Sequence, residues 1–138
     1  MALHLAIRTT TKTPISKVQI KRFIRCTQKL VAFPTDYDLS VVCVGETAMR
    51  NLQRRYRNKL TATNVLSFPY DETSGEVVLC IPVIQRQAKA KQVKFPAELL
   101  YLLSHGLLHL VGFDHVGSNQ QAERMERLEQ RMLQQCYR

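Results

Sequence analysis

The sequence lacks the features that mark several classes of protein. Its four cysteines form no C-x-x-C pair, which argues against a cysteine zinc knuckle. We expect buried free thiols in a reducing compartment rather than disulfides at Cys26, Cys43, Cys80 and Cys136. No run approaches the ~20 apolar residues that a membrane span requires. No basic region precedes the short apolar N-terminal segment, so we expect no signal peptide. These absences predict a cytoplasmic protein that does not contact a membrane.

Internal repeats, low-complexity tracts and Gly/Ser-rich linkers are also missing. A chain of 138 residues is the length of one domain, so we expect a single domain over residues 1–138. Acidic residues are scarce: 11 stand against 20 lysines and arginines, for a formal net charge of +9. Such a balance favours a polyanionic partner, above all nucleic acid, although a generally basic surface would produce the same number.

The apolar pattern alternates between strand-like and helix-like segments. Residues 3–8, 39–44, 64–68 and 76–81 are typical of strands, and the last two can form a hairpin across residues 69–75. Helical patterns follow Ser16 and Thr47 as expected capping residues, run over 83–93 and from Pro96 to Gly112, and resume after Ser118. The sequence therefore predicts an α+β fold, in which a small mixed four-stranded sheet packs with about five helices.

Residues 104–115, SHGLLHLVGFDH, carry three histidines at the end of a predicted helix. His105 and His109 are four residues apart, so their side chains project from one face, one helical turn apart. Gly112 permits a positive φ that would end the helix and let His115 return to the same place. Three imidazoles with an open fourth position are typical of a catalytic zinc site. We therefore predict one metal ion held by the three histidines.

The spacing equals that of the zinc peptidase motif H-E-x-x-H-x-x-G-x-x-H, with one difference. Gly106 stands where the peptidases place the glutamate that serves as general base. A peptidase must also protonate an amine leaving group, and this helix lacks the residue for it, so a peptidase is disfavoured. Asp114 has two interpretations of equal weight: it bonds local backbone at a turn, or it orients a ligand imidazole.

The second predicted helix carries Arg50, Arg54 and Arg57 at i, i+4 and i+7, which places them in one stripe. Charged stripes are usually solvated faces. This one leads directly into residues 55–69, RYRNKLTATNVLSFP, the most abrupt change from polar to apolar residues in the chain. A guanidinium at this point could bind two phosphate oxygens at once and neutralise charge that builds on them.

At these segments the chain resembles a known family, the YbeY endoribonucleases or ribosomal RNA maturation factors. The resemblance covers nearly the whole chain. It is carried by four segments: Tyr56–Lys59, Thr63–Pro69, Gly75–Val78 and His105–His115. The last segment is the most specific, and the others occur in the family's order. The chain departs from the common pattern at Leu60, Ser104 and Phe113, none of which is a predicted ligand.

The resemblance implies a zinc-dependent endoribonuclease that prefers single strands and acts in ribosomal RNA maturation and ribosome quality control. It implies that the three histidines bind one zinc ion and that Arg57 takes part in catalysis. Arg50, Arg54 and Lys59 are candidate RNA-binding residues. The expected partners are ribosomal RNA and proteins of the ribosome or its small subunit. Two alternatives remain: a non-catalytic RNA-binding assembly factor with a structural metal, and a metal hydrolase for a small substrate.

Overall fold

The computed structural model describes residues 2–34, 36–112 and 118–137. Along these residues, strands and helices follow one another as β1 (Leu3–Thr9), α1 (Lys17–Thr27), β2 (Tyr37–Val44), α2 (Glu46–Arg57), β3 (Val65–Asp71), β4 (Ser74–Cys80), α3 (Ile81–Lys91), α4 (Phe95–Leu110) and α5 (Asn119–Cys136). Both expected Ser caps are present: the Ser16 and Ser118 side chains accept the backbone N–H groups of Gln19 and Gln121. In the described ranges no helix is long and apolar enough to span a membrane.

The four strands form one sheet in the order β1-β2-β4-β3. β1 and β2 pair in parallel, as do β2 and β4, whereas β3 and β4 form an antiparallel hairpin. The sheet is thus mixed, and the predicted α+β fold with a four-stranded sheet and five helices is confirmed. β3 lies at one edge, where it has a sheet neighbour on one side only.

Apolar side chains fill both faces of the two central strands, because alternate residues of a strand point to opposite faces. Val41, Cys43, Val77 and Leu79 belong to the larger buried cluster, which also contains the inner faces of α1, α4 and α5. On the opposite face a smaller cluster packs against α2, and its buried members are Val42, Val44, Met49, Leu66, Val78 and Cys80. The sheet therefore separates α2 from α4, and these two helices approach the edge strand β3 from its two sides.

Several predicted boundaries are wrong, and three of them have a clear physical reason. Pro69 does not end the third strand, which continues to Asp71 because an edge strand has room for a residue without a backbone N–H. Ile81 is the first residue of α3 rather than the last of β4, since Pro82 favours the first turn of a helix. Thr47 is not the cap of α2, because Gly45 holds that position.

The expectation of four free thiols is wrong for one pair. Cys26 in α1 and Cys136 at the end of α5 form a disulfide whose Cα atoms are 5.6 Å apart. The two residues lie 110 positions apart in sequence, and only the packing of α1 against α5 brings them together. Cys43 and Cys80 are buried free thiols, as predicted. Burial raises the pKa of the Cys43 thiol to about 11, so this side chain stays protonated and apolar in character.

Candidate metal and RNA site

The two histidines of α4 meet as their spacing predicts. His105 and His109 project from the same face, with their ring centroids 4.6 Å apart and their planes at 74°. Their Nε2 atoms lie 3.0 Å from one another. For comparison, two nitrogens bound to one tetrahedral zinc at about 2.0–2.1 Å would be separated by about 3.3 Å. The two Nε2 atoms are within hydrogen-bonding distance of one another, and their separation is within about 0.3 Å of that of two ligands of one zinc ion.

A buried carboxylate fixes the orientation of the first of these rings. Glu129 of α5 lies 3.0 Å from Nδ1 of His105 through its Oε2 atom, and only 4% of the glutamate is exposed. A carboxylate accepts the Nδ1–H proton, so in the neutral imidazole the Nε2 atom carries the lone pair. Metal-binding histidines commonly have such a partner on the nitrogen that does not bind the metal. The donor set of His105 thus fits a metal ligand.

Gly106 explains why the peptidase glutamate has no place in this helix. A Cβ atom at residue 106 would lie 2.8 Å from Cγ1 of Val77 and 3.1 Å from Oγ of Ser67. The Ser67 hydroxyl donates to the Gly106 carbonyl oxygen at 3.2 Å, which ties α4 to β3. The close approach of helix and sheet leaves no space for a side chain at this position. The histidines consequently sit directly above the edge strand.

A pocket of about 460 Å³ opens beside the histidines. Its lining includes Arg57, Asn64, Ser67, Pro69, His105 and His109. Arg57 is the last residue of α2, and Asn58 follows it in a left-handed conformation with φ of 53°, which turns the chain away from the helix axis. Two helices on opposite sides of β3 therefore contribute a guanidinium and an imidazole pair to the same pocket.

The other predicted RNA-binding residues do not line this pocket. Arg50 forms an ion pair with Glu46, with nitrogen and oxygen 3.6 Å apart. Arg54 donates to the side-chain oxygen of Asn51 at 2.7 Å. Lys59 is exposed on the segment after α2. The predicted stripe is thus present on α2, and within it Arg57 is the member that lines the pocket with the histidines.

Two predicted site residues, His115 and Asp114, lie outside the described residues. Within residues 2–34, 36–112 and 118–137, no group of three or more His, Cys, Asp or Glu side chains is placed to hold a metal. The described part of the site consists of the His105–His109 pair with its glutamate. The third ligand remains a prediction from the sequence.

Sequence reasoning missed Glu129, although a signal was present. Met125, Glu129 and Met132 follow one another at positions i, i+4 and i+7 of α5, so the glutamate lies on the same inner face as the two methionines. A carboxylate on an otherwise apolar helix face is costly to bury without a partner, so it points to one. The partner itself could not be named from the sequence, because it lies on α4, 24 residues away.

Comparison with known proteins gives a consistent family. The profile of the family described as endoribonuclease YbeY matches residues 6–137. A protein named endoribonuclease YbeY from Aromatoleum aromaticum is 46% identical over 107 residues, covering 75% of this chain and 69% of its own length. Another of that name, from Acinetobacter baylyi, is 35% identical and covers 96% and 92% of the two chains.

A solved structure supports the fold alone. The solution structure of a protein from Thermotoga maritima matches with a TM-score of 0.72 at 22% identity, over 96% of this chain and 89% of that one. The family profile spans nearly the whole chain, and the relatives exceed 30% identity over most of it. The chain belongs to the endoribonuclease YbeY family.

Proposed function

We propose that this protein is a zinc-dependent endoribonuclease that cleaves single-stranded regions of ribosomal RNA during its maturation and in ribosome quality control. The observation that carries the proposal is the shared pocket: Arg57 from α2 lines it together with His105 and His109 from α4. Membership of a family whose members are named endoribonucleases supports RNA as the substrate. The net charge of +9 suits a polyanion of that kind.

The described residues fit a metal centre. His105 and His109 would bind one zinc ion per chain, with His115 as the predicted third ligand and Asp114 beside it as a candidate to orient an imidazole. Zinc bound there would supply Lewis-acid chemistry, activating a water or polarising a phosphate oxygen. Glu129 would keep the Nε2 lone pair of His105 directed at the ion, since it holds the proton on Nδ1.

Arg57 would act on the phosphate. Its guanidinium presents several N–H donors in one plane, which matches two oxygens of a phosphodiester. Donors that are already in place when charge develops on phosphorus stabilise the transition state more than the ground state. Arg50, Arg54 and Lys59, exposed on the same helix and the segment after it, would bind the RNA backbone without reading its sequence.

The test is cleavage of a single-stranded RNA and its DNA equivalent by metal-loaded and chelator-stripped protein. We expect cutting of RNA alone, and only with metal. A His109→Ala variant should lose most of its metal and its activity together. If metal-loaded protein binds RNA but cuts neither the RNA nor its DNA equivalent, the protein is an assembly factor with a structural metal.

The salt dependence of RNA affinity distinguishes the proposed endoribonuclease from the remaining alternative, a metal hydrolase for a small substrate. RNA affinity should fall steeply between low and physiological salt, because each phosphate contact of a single strand contributes about −0.7 to the slope of log affinity against log salt. Affinity that stays constant over this range would favour a hydrolase for a small substrate. The expected cytoplasmic location and contacts with ribosomal proteins would follow from a role on the ribosome.

A further inference from the structure

Three aromatic side chains form a cluster beside the site, in which two exposed tyrosines contact a half-buried phenylalanine. In this aromatic platform (Tyr56, Phe68 and Tyr70), the rings of Tyr56 and Phe68 meet edge to face with centroids 5.4 Å apart. Phe68 and Tyr70 are nearly parallel, at 9° and 6.3 Å. Tyr56 is 59% exposed and Tyr70 is 64% exposed. Single exposed apolar side chains are common, but a contiguous group of them often marks a binding surface.

The platform is adjacent to the pocket through the chain itself. Tyr56 immediately precedes Arg57, and Phe68 and Tyr70 flank Pro69 on β3. Pro69 lines the histidine pocket, whereas Phe68 and Tyr70 on either side of it contact each other in the platform. β3 is the edge strand of the sheet, so a ligand can pass around it from one face of the sheet to the other. An extended ligand that crosses this edge would contact both.

The charges at the Tyr56 end of the platform favour an anionic ligand, whereas the exposed Asp71 and Glu72 follow Tyr70 at the other end. The last turn of α2 carries Arg54, Arg55 and Arg57, and the Arg55 guanidinium lies 6.0 Å from the centre of the Tyr56 ring. Among the described residues, the carboxylate bonded to the platform is Glu76, which accepts the Tyr70 hydroxyl at 2.7 Å. This hydrogen bond raises the pKa of Tyr70 to about 12.

We propose that the aromatic platform stacks bases of single-stranded RNA next to the phosphodiester held in the histidine pocket. The inference rests on the proposed function and specifies how the substrate is bound. Exposed aromatic rings beside a basic groove are the usual means of holding single strands without sequence preference, since every base has a π-face. A duplex cannot use such a surface, because its bases are stacked on each other. The platform thereby gives a physical reason for a preference for single strands.

The test replaces each exposed tyrosine in two ways. Tyr56→Leu and Tyr70→Leu keep apolar bulk and remove the ring, while Tyr56→Phe and Tyr70→Phe keep the ring and remove the hydroxyl. Binding of a 2′-O-methyl oligonucleotide is measured by fluorescence anisotropy at one salt concentration, and a gel confirms that it stays intact. Val18→Ala, at an equally exposed residue on α1 beside the opposite edge of the sheet, is the control.

The leucine variants should bind roughly 5- to 100-fold more weakly, and the phenylalanine variants and the control should bind like the wild type. An oligonucleotide that lacks one base should lose a similar factor with wild type and much less with the leucine variants. Leucine variants that bind as tightly as wild type would overturn the proposal. So would a loss of affinity that is the same with and without the base, which would indicate a contact with the RNA backbone or an indirect structural effect instead.

The outcomes distinguish this proposal from the proposed function. Base-dependent binding by a protein that cuts no RNA would leave the platform in place and refute the nuclease. RNA cleavage that is indifferent to both leucine variants would leave the nuclease in place and refute the platform.

Discussion

Replacing Glu129 with glutamine changes one charge and almost no volume at the support of His105. The carboxylate lies 3.0 Å from Nδ1 and is 4% exposed, so the hydrogen bond is shielded from water. A hydrogen bond to a charged group contributes about 1.5–3 kcal/mol, against about 1 kcal/mol for a neutral one. The difference of about 0.5–2 kcal/mol corresponds to roughly a 2- to 30-fold loss of metal affinity. Loss of the partner of a metal-binding histidine typically costs about 10- to 100-fold.

The assay is competition for zinc against a chromophoric chelator at fixed pH. Glu126→Gln is the matched control, because it removes the same charge one turn away on the exposed face of α5. We expect Glu129→Gln to bind zinc about tenfold more weakly than this control. The free energy of unfolding of the metal-stripped variant should change by less than about 2 kcal/mol. Equal zinc affinity in the two variants would refute the role assigned to Glu129.

Two further predictions concern the packing that positions the site. Gly106→Ala should lower the free energy of unfolding by about 1–2 kcal/mol, because the new methyl group would lie 2.8 Å from Val77. The better helix propensity of alanine offsets only part of that cost. A denaturant midpoint equal to that of wild type would contradict the tight approach of α4 to the sheet. Reduction of the Cys26–Cys136 disulfide should lower the free energy of unfolding by about 2–5 kcal/mol, since the bond closes a long loop. The measurement is a denaturant titration with and without reductant. Cys26→Ser is the control, because reductant should not change the stability of a variant without the disulfide.

The parts of the site that are local in sequence were predictable. The i, i+4 spacing of His105 and His109 decides their geometry once the segment is helical, and the 3.0 Å separation of their Nε2 atoms agrees with it. Gly112 has the positive φ, 102°, that its place after the helix predicts. Both features depend only on the backbone of one helix and its C-terminal cap.

Features that depend on the approach of distant elements were missed. The Glu129 contact requires α5 to pack on α4, and the Cys26–Cys136 disulfide requires α5 to pack on α1. The sequence pattern predicts that the third strand ends at Pro69, whereas the strand continues to Asp71. A proline is tolerated there because β3 lies at the sheet edge, and the order of the strands cannot be derived from the sequence pattern alone. The stripe on α2 was visible, but only the fold shows that Arg57 is its member in the pocket.

The central claim is that Arg57 and the histidines act on one phosphodiester. Its most direct test is single-turnover cleavage of a short single-stranded RNA by Arg57→Lys, alongside a binding titration at the same salt. Arg54→Lys is the matched control, because Arg54 is exposed on the same helix but does not line the pocket. Lysine keeps the charge and loses the planar pair of donors, so the rate should fall about a hundredfold while RNA affinity and metal content change little. A rate unchanged from that of the control, or a loss of binding as large as the loss of rate, would contradict the account.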